Sequence, residues 1–122
     1  MIKYIPQSTG LTCGQACVAM LANISIEEAI GKMGTDGSTE PIDIINGLKA
    51  CGVKCDDAFV KIKEENPSYP PVCVLLVWFP EYGHWVVHYH GKFYDPEFGL
   101  LDKCVSHGRI GAYLSVYLDE NN

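Results

Sequence analysis

The sequence predicts an α+β fold in one domain over residues 1–122, with helices first and an antiparallel sheet after them. Three observations carry this. Capping signals and helical spacing recur between residues 13 and 52. Pro67, Pro70 and Pro71 then punctuate the chain. Four strand-like segments follow, with no helical pattern between them, which argues against a doubly wound sheet.

Each element has its own local reason. Residues 13–23, CGQACVAMLAN, hold good helix formers, and Ala16, Met20 and Asn23 fall at helical spacing, with Asn23 as the stop. Ser25 and Glu28 form a capping-box pattern, so a second helix is expected over 26–33, ending near Gly34. Thr39, with Pro41 just inside, is expected to open a third helix. Ile42, Ile45 and Leu48 would give it an apolar stripe and Gly52 its close. Residues 53–60 are short and mixed. The strand candidates are 72–79, 84–90, 92–95 and 113–118.

Composition bounds the function. The chain has 122 residues, 48% hydrophobic and 20% charged, which is globular rather than disordered. A chain of this length buries roughly two-thirds of its unfolded surface, enough for one core. The net charge is −6. An acidic surface repels phosphates, so neither nucleic acid nor an anionic membrane is an expected partner. The longest apolar run, residues 72–79, is too short to span a bilayer. The first ten residues, MIKYIPQSTG, hold no apolar segment of secretory type, so a cytoplasmic protein is expected as synthesised. No G-x-G-x-x-G and no P-loop occurs, and no cofactor is expected.

Six cysteines need an explanation: Cys13, Cys17, Cys51, Cys55, Cys73 and Cys104. Without a secretory signal, free thiols are the default. Two C-x3-C spacings raise structural zinc, but Cys17 in CVAML and Cys73 in VCVLLV read as small core residues. No metal is therefore expected.

Cys13 differs, because it follows a turn-like stretch and opens a helix. Unpaired N–H groups and the positive end of the helix dipole favour a thiolate there, and a thiolate is a nucleophile. Gly14 lets other backbone approach. A thiolate needs a base, and His84, at the start of a strand anchored by Trp85, suits this best. His88 and His90 read as polar positions near a hairpin end, and His107 as a loop residue. If the hairpin turns at Tyr89-His90, Val86 meets Phe93, Trp85 meets Tyr94 and His84 meets Asp95. A turn centred on Gly91-Lys92 would instead set Asp95 against His88. An aspartate beside His84 would fix the imidazole tautomer. Gln7 and the backbone N–H of Cys13 are candidate donors to an oxyanion.

Taken together, Gln7-x5-Cys13-Gly14-x-Ala16-Cys17, Gly83-His84-Trp85-Val86-Val87 and Tyr94-Asp95-Pro96 resemble the papain-like cysteine peptidases. Within them the sequence is most similar to the bacteriocin-processing, double-glycine leader peptidases and their stand-alone relatives. The resemblance spans residues 7 to 96. It implies a papain-like fold, with the nucleophile helix packed on a C-terminal antiparallel sheet. It also implies Cys13 as nucleophile, His84 as general base and acid, Asp95 as orienter and Gln7 as oxyanion donor. Thr12 stands where that branch often has Asp. The implied activity is hydrolysis of a peptide or protein amide bond through a thioester. A deamidase or thiol acyltransferase would use the same residues, and a non-catalytic binding module would need none of them.

Overall fold

The computed structural model describes residues 2–64 and 67–119. Three helices come first: α1 (Cys13–Ala22), α2 (Ile26–Met33) and α3 (Pro41–Ala50). Strands follow: β1 (Lys54–Cys55), β2 (Val60–Lys61), β3 (Val72–Trp78), β4 (Gly83–Tyr89), β5 (Lys92–Asp95), β6 (Gly99–Leu101) and β7 (Arg109–Tyr117). The fold is α+β. The sheet runs β1-β7-β3-β4-β5-β6, with β2 also paired to β7 and every pairing antiparallel.

The helix ends follow from their residues. α1 stops at Asn23, which takes the left-handed conformation at φ 58°. The Ser25 side chain accepts the Glu28 N–H, and Gly34 closes α2 at φ 75°. α3 departs from expectation by one residue. Glu40, not Thr39, is its N-cap, and the Glu40 N–H donates to Asp43 at 2.8 Å. Its buried stripe is Ile44, Ile45 and Leu48, while Ile42 is exposed. With Pro41 in the first helical position, Ile42 falls on the outer side of the first turn.

Period-two alternation divides the sheet between two clusters. Val74, Trp85, Val87, Tyr94, Leu114 and Val116 pack with the helices. Cys73, Leu75, Val77, Val86 and Phe93 pack on the opposite face, under Tyr69 and Leu101. The strand over 113–118 starts earlier than expected, at Arg109, and β7 carries a bulge where its register with β3 shifts between Leu76 and Val77. The short strands β1, β2 and β6 have too few residues to show alternation. Among the described residues no helix is long and apolar enough to cross a membrane.

The β4–β5 hairpin is shifted from the expected register. Val87 meets Tyr94, His88 meets Phe93 and Tyr89 meets Lys92, and the turn is His90-Gly91. Both turn residues have positive φ, 47° and 88°, as a two-residue hairpin turn of the primed type requires. One step further along, Asp95 lies opposite Val86 rather than His84. The shift is two residues, so His84 and Asp95 keep the same face and meet diagonally.

α1 packs on β4, α2 and α3. The approach is tightest at Gly14, where a Cβ would lie 2.2 Å from Thr39 Oγ1 and 2.9 Å from Ile44 Cδ1. Gly14→Ala is therefore expected to cost about 1–3 kcal/mol through overpacking. Urea unfolding should show a lower midpoint with an unchanged slope. An unchanged midpoint would contradict this close approach.

Candidate active site

The nucleophile candidate is built by the turn before α1. Thr12 is fully buried, and its Oγ1 accepts the N–H groups of Ser8 and Thr9 at 2.9 and 3.0 Å. Thr12 thus braces the turn and makes no side-chain cap to α1. The first-turn N–H groups, that of Cys13 among them, have no acceptor within the helix. Their positive potential faces the thiol.

His84 is 2% exposed and Asp95 likewise. His84 Nε2 lies 2.6 Å from Asp95 Oδ1. The same oxygen accepts the N–H groups of Glu97 at 2.9 Å and Phe98 at 3.1 Å. With Nε2 committed to Asp95, Nδ1 is the nitrogen left for Cys13, which lines the same cavity as the ring. Burial alone pulls the imidazole down. The hydrogen bonds to Asp95 and Cys13, with the charges of both, outweigh it and raise His84 from 6.5 to about 9. The arrangement thus favours an imidazolium beside the sulfur.

A cavity of about 420 Å³ opens over this pair, lined by Gln7, Cys13, Thr39, Tyr82, His84 and Glu97, among others. Gln7 Oε1 is buried with no hydrogen-bond partner. Because the two ends of an amide are nearly alike in shape, rotation presents the NH₂ at the same place. The structure therefore brings all four sequence-predicted residues, Gln7, Cys13, His84 and Asp95, to one region.

Several neighbours escaped the sequence reading. Gln15 is fully buried inside α1, and its Nε2 donates to the carbonyls of Thr35 and Gly37, both at 2.9 Å. It ties α1 to the loop that carries Thr39 into the cleft, and Trp85 Nε1 donates to Thr39 O at 3.4 Å. A polar side chain two residues from Cys13, within an apolar helix, was the available signal. Phe79, Phe98 and Tyr82 surround the His84 ring, with centroids 5.8, 6.2 and 6.5 Å away. His107, expected only as a loop residue, stacks on Phe79 at 4.8 Å.

The remaining candidates lie elsewhere. His88 is not a polar hairpin position but a buried one. Its Nδ1–H donates to Pro70 O at 3.1 Å, and burial lowers its basicity. Cys17 is fully buried one turn below Cys13; burial first, then the charges of Cys13 and Asp95, push its thiol well up. Burial pushes Cys73 up to about 12. Among the described residues no group of three or more His, Cys, Asp or Glu is placed to hold a metal ion. No protein-family model matches the chain, and no curated protein does.

The raised His84 value has a signed consequence. A group more basic in the folded than in the unfolded chain stabilises the fold below its unfolded value, here about 6.5. That contribution disappears as pH rises through about 9. NMR of the His84 ring is expected to show a midpoint near 9, moving down in Cys13→Ala and in Asp95→Asn. A wild-type midpoint at the ordinary value would refute the coupling.

Proposed function

We propose that this chain is a papain-like cysteine peptidase that hydrolyses a peptide or protein amide bond. The observation that carries the reading is the buried 2.6 Å contact of His84 Nε2 with Asp95 Oδ1, in a cavity that His84 shares with Cys13 at the start of α1. A nucleophile, a base and an orienting carboxylate in one cleft are what thiol acyl transfer needs. The uncommitted Gln7 amide in the same cleft supports the reading further.

The chemistry follows from the placement. Cys13 Sγ, as thiolate, attacks the carbonyl carbon of the scissile amide. The negative charge passes to the carbonyl oxygen, where the Gln7 NH₂ and the Cys13 N–H receive it. The His84 imidazolium gives its proton to the amide nitrogen, the C–N bond breaks, and the amine leaves. A thioester remains on Cys13. Neutral His84 then takes a proton from water as the oxygen attacks the thioester carbon. Collapse breaks the C–S bond, releases the acid and restores the thiolate–imidazolium pair. Asp95 holds the ring with Nδ1 toward sulfur throughout.

The test is a peptide library incubated with the protein and read by mass spectrometry. Wild-type protein is expected to generate new termini, and Cys13→Ala none. His84→Ala should lose about 10²–10⁴-fold in rate. Asp95→Asn should lose less, since that side chain orients rather than transfers the proton. A mass gain on a side-chain amide without chain cleavage would overturn hydrolysis in favour of deamidation. Wild-type cleavage by Cys13→Ala would overturn the site itself.

A further inference from the structure

Two hydrogen bonds reach from the N-terminal segment to the turn that carries the aspartate. The Tyr4 hydroxyl donates to Asp95 O at 2.6 Å, across 91 residues of sequence. Three residues on, the Gln7 N–H donates to Pro96 O at 3.0 Å. Successive carbonyls of the Asp95-Pro96 unit are thus gripped by one short stretch, residues 4–7. We propose that Tyr4 is a positioning residue for the His84–Asp95 pair, and that residues 4–7 act as a strap coupling this pair to the Gln7 oxyanion donor; this rests on the peptidase reading above.

The argument is one of lever arms. Asp95 is the last residue of β5, where its pairing with β6 at Gly99 ends. Its carboxylate must hold His84 within hydrogen-bond range while accepting two turn N–H groups at the same oxygen. A small rotation of the Asp95 peptide plane swings Oδ1 away from Nε2. Pro96 restricts the Asp95 backbone to extended geometry. The hydroxyl of Tyr4 fixes the remaining freedom of the Asp95 carbonyl. The Tyr4 ring is half-buried and packs against the helix-side core, so packing places the hydroxyl. Because the same strap ends on Gln7, a displacement at Asp95 is felt on both sides of the cleft.

Tyr4→Phe keeps the ring and removes only the donor. The experiment compares wild type, Tyr4→Phe, Asp95→Asn and the double variant. Three quantities are read: kcat and KM on a peptide that wild type cleaves, the pH profile of Cys13 alkylation by iodoacetamide, and the His84 midpoint by NMR. Tyr4→Phe is expected to lower kcat on the order of tenfold at unchanged KM, as a misaligned general base does. It should also move the His84 midpoint downward and change the pH profile of Cys13 alkylation. In the Asp95→Asn background the same substitution should leave the His84 midpoint unchanged and cost less in kcat, through Gln7 alone. A Tyr4→Phe protein with wild-type kcat and wild-type pH profile would leave the hydroxyl a structural contact only and overturn the proposal, even if its unfolding midpoint fell. An equal cost in the Asp95→Asn background would overturn it as well, since Tyr4 would then act by another route. A wild-type protein whose Cys13 alkylates no faster than Cys104 would instead overturn the peptidase reading itself.

Discussion

One carboxylate oxygen organises the site. Asp95 Oδ1 is buried and accepts three N–H groups, from the His84 ring and from the backbones of Glu97 and Phe98. A buried carboxylate is costly unless its lone pairs are satisfied, and here several donors converge on one atom. The same bonds shape the turn after β5. That turn presents its two carbonyls to Tyr4 and Gln7, and so decides where the N-terminal segment lies. The orientation of His84 and the path of residues 4–7 are thereby consequences of a single charge requirement.

The surroundings of His84 serve the same pair. Phe79, Tyr82 and Phe98 enclose the ring, and the Tyr82 hydroxyl donates to Glu97 at 3.2 Å, linking the β3–β4 connection to the turn after Asp95. Aromatic walls keep water from competing for the imidazole–carboxylate bond and lower the local dielectric, which strengthens it. Burial by itself would discharge the imidazole, yet its partners reverse the sign. The enclosure therefore strengthens the pair only because both partners are in place. Leu11 and Tyr82 line the cleft and remain exposed, giving its mouth an apolar edge.

How much of this was legible in the sequence depended on whether the cause was local. The α2 boundaries are capping chemistry within four residues, and Ser25, Glu28 and Gly34 announce them. The Cys13, His84 and Asp95 assignments rested on a helix start and on strand parity, both local. The observed hairpin register differs by two from a turn at Tyr89-His90, because Gly91 accepts the positive φ that the second turn position demands. An error of two preserves parity, so the histidine and aspartate still share a face. The start of β7 was hidden because Gly111 breaks the alternation at the bulge. Tyr4 was beyond reach, since no spacing rule links residue 4 to residue 95. The burial of His88 has a like cause: Tyr69, which meets its ring edge to face, and Pro70, whose carbonyl accepts its hydrogen bond, come from another part of the chain.

Thr12 shows how an apparent departure fits the electrostatics. A carboxylate at the N-cap of α1 would accept first-turn N–H groups and place a negative charge one residue from Cys13. Both effects would oppose an anionic sulfur, the first by damping the helix potential and the second by direct repulsion. Threonine contributes no charge. Its hydroxyl is turned back onto Ser8 and Thr9, so the brace that shapes the turn draws nothing from α1. The helix end keeps its positive potential for the thiol. Rigidity before the helix and electrostatic openness at its first residue are thus supplied by one neutral side chain.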